Sequence, residues 1–115
     1  MKKFVILTSA VLLTACAEFS DRVSVLQNPV FAASSRGGAM KSDVIAAGGQ
    51  PRSTMSTLNG QGSCFNYLMN INGNSKPLYV GFNRKDQVVA WGNLTCEEAK
   101  QDGYLNATEP PKQKY

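Results

Sequence analysis

Two short alternating runs joined by a tight turn restrict this chain more than any other feature. Phe65, Tyr67, Met69 and Ile71 alternate with Asn66, Leu68, Asn70 and Asn72; Leu78, Val80 and Phe82 alternate with Tyr79, Gly81 and Asn83. A period of two marks a half-buried strand. Asn72-Gly73-Asn74-Ser75 between them is a strong hairpin signal, because Asn and Gly tolerate the positive φ that such turns demand. Arg84-Lys85-Asp86 turns the chain again, residues 87–91 continue as a third strand, and Gly92-Asn93 ends it. Connections this short favour an antiparallel meander. The polar stretch 53–58, ahead of the turn signal Asn59-Gly60-Gln61-Gly62, reads as a weak edge strand.

A small sheet with an apolar face needs a cover. Residues 39–47 form a plausible two-turn helix, with Asp43 near its start, where a carboxylate suits the dipole. Val44, Ile45 and Ala47 supply a narrow apolar face, Gly48-Gly49 a left-handed stop, and Pro51 forbids continuation. So short a helix is marginal alone and must pack on the sheet. Before the boundary Arg36-Gly37-Gly38 no period is sustained. Val23, Val25, Leu26, Val30 and Phe31 fit one short helix or extended piece, interrupted at Pro29. The expected class is α+β: a small two-layer domain with one or two N-terminal helices packed on a three-stranded antiparallel β-meander.

The start of the chain carries an address. Lys2 and Lys3 precede a mostly apolar run at 4–13, and ten residues are too few for a bilayer core that needs roughly 20. A cleaved signal peptide is expected, against the competing reading of a buried helix. Leu13-Thr14-Ala15-Cys16 resembles the bacterial lipobox. That resemblance implies cleavage before Cys16, a diacylglycerol thioether on its sulfur, and stable anchoring by two or more acyl chains. Ala17 rather than Asp after the cysteine implies the outer membrane, on its periplasmic face.

Removing 15 of 115 residues leaves 100, one small domain. Lysine plus arginine falls from 12 to 10 when Lys2 and Lys3 go, against 8 acidic residues, so the net charge is about +2. The sequence pI near 9.1 therefore owes part of its basicity to the signal, and nucleic-acid binding is rejected.

With Cys16 given to lipid, Cys64 and Cys96 remain, an even number in an oxidising compartment. That suggests a disulfide, with two free buried thiols as the alternative. In a plain meander the two lie at opposite ends of the sheet, about 20 Å apart. A disulfide needs Cα atoms within about 7 Å. The bond thus requires a short last strand, with Gly92-Asn93 turning the chain back over the sheet.

Val89 and Trp91 share a parity opposite to Val88 and Ala90, so both faces of the last strand carry apolar groups. One face can take the helices. The other would hold Leu68, Tyr79 and either Val89 or Trp91, a cluster that marks a partner surface unless the N-terminal segment covers it.

Nothing points to catalysis. The chain has no histidine, the commonest general base and zinc ligand. Cys64 and Cys96 are too far apart for a CxxC motif. Asp43, Asp86, Glu97, Glu98, Asp102 and Glu109 are scattered, and Gly60-Gln61-Gly62 is a turn rather than a nucleotide loop. No cofactor, metal or small-molecule substrate is expected.

Gly38 with Val44 six positions on, Gly49-Gln50-Pro51 closing the helix, Gly62-Ser63-Cys64-Phe65-Asn66-Tyr67, then Tyr79-Val80, Val88 and Thr95-Cys96 form an ordered set. Over roughly residues 38–98, with the first sixteen, the chain resembles the SmpA/OmlA (BamE-like) lipoprotein domain, on its osmotically inducible branch. The resemblance implies two helices on a three-stranded antiparallel sheet, at the inner leaflet of the outer membrane. It also implies a role either in supporting β-barrel assembly or in osmotic stress. One departure is visible: the family opens its helix with Gly-Met and then Ser or Thr. Here Gly38, Ala39 and Met40 stand there, so the hydroxyl cap is lost or moved to Ser42.

The expected organisation is a signal peptide at 1–15, a lipid-anchored tether at 16–36, the BamE-like domain at 37–98, and a flexible tail at 99–115. The expected function is a non-enzymatic envelope or stress-related role through contacts with an outer-membrane or periplasmic protein. The alternative is a membrane-held inhibitor of lysozyme or another periplasmic hydrolase, using a protruding loop at 72–76.

Overall fold

The computed structural model describes residues 25 and 27–111. The signal peptide, the Cys16 anchor, Val23 and Leu26, and the chain beyond Pro111 lie outside the described residues. Among those described, three α-helices accompany one four-stranded antiparallel sheet of order β1-β2-β3-β4.

Helix α1 (Pro29–Ser35) starts where Asn28 leaves helical backbone and its Oδ1 accepts the N–H groups of Val30 and Phe31, at 3.0 and 3.3 Å. Pro29 follows as the first helical residue, where its missing N–H costs nothing. Val30, Ala33 and Ser34 form the buried stripe, and the Ser34 hydroxyl donates to the Val30 carbonyl at 2.7 Å. The tether expected to reach residue 36 is therefore part of the fold from here on, since this stripe is spent on the core.

Helix α2 (Lys41–Gly48) has Met40 at its N-cap with no side-chain cap bond. Neither Met40 nor Ser42 replaces the lost hydroxyl. Instead the Asp43 carboxylate accepts the Met40 N–H at 2.9 Å. Lys41 ties the helix start to the β-turn opposite: its N–H donates to the Asp86 carbonyl, and its Nζ lies 3.0 Å from Asp86 Oδ1. Val44 is fully buried while Ala47 is exposed, so the apolar face is narrower than expected. Gly48 is where α2 meets α1 and the sheet: a Cβ there would collide with Val30 and lie 3.2 Å from Tyr67 Cε1.

The sheet runs β1 (Ser53–Thr57), β2 (Gly62–Ile71), β3 (Asn74–Phe82) and β4 (Val88–Gly92), each antiparallel to the next. The meander is as expected, and the polar stretch ahead of it joins as the edge strand β1. Ile71 pairs with Asn74 across a two-residue turn, with Asn72 at φ 52° and Gly73 at φ 84°. Positive φ at both positions is the type I′ pattern, whose twist matches the strands. β1 covers β2 only as far as Asn66, and β4 covers β3 only as far as Tyr79. The rest of the β2–β3 hairpin extends past its neighbours as a two-stranded arm.

One sheet face carries Phe65, Tyr67, Met69, Ile71, Leu78, Val80, Phe82 and Val88, packed with Val30, Ala39 and Val44. Phe65 meets Phe82 edge to face at 4.9 Å. The opposite face is covered too, by the C-terminal segment. Thr95 and Glu98 form a reciprocal capping box, Thr95 Oγ1 accepting from Glu98 N–H and Glu98 Oε1 from Thr95 N–H. They open helix α3 (Cys96–Gln101), followed by a 3₁₀ turn at Tyr104–Asn106. Cys96, Ala99 and Leu105 are buried against Cys64 and Tyr79. The flexible tail expected from residue 99 is thus corrected: its apolar side chains cover a sheet face, and the Asn83 amide fixes it further along, donating to the Thr108 carbonyl at 2.9 Å.

The Cys64–Cys96 disulfide is formed, with Cα atoms 6.0 Å apart. β4 is short and the chain turns back over the sheet, the route this pair requires. The Asn66 side chain guides the crossing, accepting the Cys96 N–H at 2.9 Å and donating to Ser53 Oγ at 3.0 Å.

Candidate functional site

The residues assigned to a partner surface do not form one patch. Gly81 pairs with Ala90 but Phe82 pairs with Val88, leaving Val89 as the extra residue of a β-bulge. The bulge breaks the parity that simple alternation assumes. Trp91 packs, half-buried, against the helix-face core with Val88, while Ala90 and Tyr79 belong to the disulfide face. Tyr79 and Val89 are 4% and 5% exposed. The exposed cluster expected around Tyr79 is corrected, because Cys96, Ala99 and Leu105 bury that face, while α1 packs on the opposite one.

Leu68 is 47% exposed on the hairpin arm. Thr95 and Glu97 border its hollow, together with Arg52 and Pro77, whereas Asn93 and Leu94 border a separate groove on the other side. The crossing segment between β4 and α3 therefore divides Leu68 from the rest.

That groove does bring Tyr79, Val89 and Trp91 together. It is open, about 650 Å³, and runs between β4 with Asn93-Leu94 on one side and Gly103, Tyr104, Ala107 and Pro111 on the other. No charged side chain lines it. Tyr79 forms part of the floor, opposite its cross-strand partner Gly92. A Cβ at residue 92 would lie 3.1 Å from Tyr79 Cε1, so glycine there lets the ring lie against bare backbone. Burial pushes the Tyr79 phenol above its ordinary range, and the Tyr104 phenol adds to the shift. The Tyr79 hydroxyl therefore stays protonated at neutral pH. Tyr104, 54% exposed, forms the outer wall.

Tyr104, Leu94, Ala107 and Pro111 were not singled out from the sequence. One readable signal was present: Thr95-x-x-Glu98 is a capping box, and it announces a helix that must pack directly after β4. Among the described residues no three His, Cys, Asp or Glu groups converge as a metal site, and no helix is long and apolar enough to cross a membrane.

No protein-family model matches the chain, and no curated protein matches it. A solved structure does. An osmotically inducible lipoprotein, OsmE, characterised by X-ray crystallography, shares 29% identity with a TM-score of 0.62, over 70% of this chain and 83% of that one. The chain has an OsmE/SmpA-like fold, as the ordered residues from Gly38 to Cys96 implied.

Proposed function

We propose that this chain is a lipid-anchored envelope protein, held through Cys16 at the periplasmic face of the outer membrane. It works without catalysis, by holding a protein partner in the groove beside β4, in a stress-related role. The observation that carries this reading is the groove itself: open, uncharged, and walled by Tyr79, Trp91 and Tyr104. Aromatic residues in a neutral recess are the usual anchors of protein contacts. The anchor is supported by the lipobox Leu13-Thr14-Ala15-Cys16, and the stress-related role by similarity to an osmotically inducible lipoprotein.

Two measurements test it. Radiolabelled palmitate should enter the wild-type chain and not Cys16→Ser, and the labelled chain should fractionate with outer membrane. A photo-crosslinking amino acid at Tyr104 should give a discrete protein adduct in cells, whereas the same probe at exposed Lys100 should not. Equal labelling at both positions would remove the groove as the partner site.

A second reading is favoured by the projecting β2–β3 arm, whose tip at 72–76 is exposed. Such a tip suits entry into an enzyme cleft, as an inhibitor of lysozyme or another periplasmic hydrolase would require. Inhibition by the purified chain, lost when residues 72–76 are replaced by a plain Asn-Gly turn, would favour it.

A further inference from the structure

The groove beside β4 selects its occupant by exclusion as well as by fit. β4 is an edge strand, and an edge ordinarily invites a partner strand. Here that route is closed at the start of the strand, and prolines line the hollow beside it. The Val88 N–H already donates to the Ala39 carbonyl at 3.0 Å, and Met40 bridges Gln87. Pro110 and Pro111 line the hollow that also holds Val88 and Trp91. Proline has no N–H and cannot join a ladder.

What the molecule places at this spot is ring beside ring. Pro111 and Trp91 line both the groove and the neighbouring hollow. The chain bends at Glu109, and the proline that follows keeps Pro110 out of helical backbone. The chain thus carries its own Pro110-Pro111 pair beside Trp91, and the aromatic groove runs on from there past Tyr79 and Tyr104. The lining has no charge to pair with an ionic ligand, but Tyr79 and Tyr104 bring phenol hydroxyls that can donate to carbonyl oxygens. A polyproline segment presents rings for aromatic walls and unpaired carbonyls for donors, and it is extended before it binds, so little entropy is lost.

We propose that the groove binds an uncharged, proline-rich extended segment of a partner protein, seated between Trp91 and Tyr104 with its carbonyls toward the tyrosine hydroxyls. The proposal rests on the reading of this groove as a partner site and names the chemistry of that partner. Recognition of this kind is general to aromatic-lined grooves.

The test uses the mature chain and its single tryptophan, which lies at the groove. The probe is a blocked peptide with two Pro-Pro pairs separated by alanine; the controls are an all-alanine–serine peptide of equal length and a tetramer of N-acetylglucosamine. A saturable change in Trp91 emission is expected with the proline peptide alone, with Kd on the order of 100 μM. Tyr104→Ala should weaken it about tenfold, the cost of an aromatic anchor. Tyr104 is mostly exposed, so that variant should keep its circular dichroism and melting point. An equal response to the control peptide, a response to the sugar, or unchanged affinity in Tyr104→Ala overturns the proposal. If the Tyr104 crosslink in cells persists while peptide binding fails, the partner site stands and the proline chemistry falls. If peptide binding holds and no crosslink forms, the chemistry stands and the cellular reading falls.

Discussion

On one face of the sheet, Phe65, Val80 and Phe82 meet α1 and α2 in a continuous apolar layer; on the other, Cys64, Tyr79 and Ala90 meet a short helix and a 3₁₀ turn. The first cover brings Val30, Ala33, Ala39 and Val44, with Phe31 and Ile45 partly buried beside them. The second brings Ala99, Leu105 and little more, and it is tied down by the Cys64–Cys96 bond and the Asn66 hydrogen bond. The thinly covered face is also the one that opens, beside β4, into an aromatic groove. A face left open as a groove is not filled by the chain's own side chains, so its local order comes from the disulfide and hydrogen bonds more than from bulk burial.

The sharpest way to break this contrast is to weaken the stronger face. Phe82→Ala, at a site 1% exposed, should cost about 3–5 kcal/mol in urea unfolding, with both faces melting in one transition. Next is the staple. Cys64→Ser with Cys96→Ser should lose about 3–4 kcal/mol, for a loop with a sequence separation of 32. Amide exchange should rise first in α3 while β2 and β3 stay protected. Equal loss of protection in α2 would show that the two covers are not independent.

Gly81→Ala probes the fit of the thin cover, because the new Cβ would lie 2.8 Å from Leu105 Cδ2. About 1–3 kcal/mol of destabilisation is expected, with the Leu105 methyl resonances displaced and those of Val44 unmoved. Asn66→Ala removes two hydrogen bonds at the crossing and should cost about 1–2 kcal/mol, again seen first in α3.

The smallest effect belongs to the helix face. The Tyr67 hydroxyl donates to the Gly49 carbonyl at 2.9 Å, and Tyr67→Phe should cost about 1 kcal/mol. Burial raises the Tyr67 phenol above its ordinary 10.0. The unfolded chain therefore ionises first as pH rises: the contribution is present below pH 10 and is lost as pH climbs through the folded value. Melting temperatures measured from pH 8 upward should fall above pH 10, and less steeply in Tyr67→Phe.

Much of the first face was legible in the sequence and little of the second. Alternation from Phe65 to Ile71, and from Leu78 to Phe82, directly reports burial on one side, and Asn72-Gly73 reports the turn that sets the register. Val44 and Gly49 likewise announce a helix and its end. By contrast, α3 has only Cys96 and Ala99 as apolar contacts in six residues, too few for any period to emerge. Leu105 stands alone in a polar run. The bulge at Val89 defeats the parity argument, because one inserted residue moves Trp91 to the other face without leaving a mark in composition. Tyr79, Val89 and Trp91 nonetheless line one groove, as apolar groups on both sides of one strand allow. Leu68 shares Tyr79's face, and although the disulfide demands that Gly92-Asn93 turn the chain back over the sheet, alternation does not tell that it crosses between the two.

The disulfide also decides how the molecule answers to tension. Any pull between α1 and the C-terminal segment reaches Cys64 from one side and Cys96 from the other, and then passes through two sulfur atoms. β3, β4 and β2 from Cys64 onward lie inside that closed loop, so even when β1 and α2 are pulled from them they cannot be drawn out end to end. At roughly 3.5 Å per residue, about 110 Å of chain is withheld from extension. A stretched copy would yield at α1, α2 and β1, or at α3 and the segment after it, while Tyr79 and Trp91 stayed within the part that cannot be drawn out.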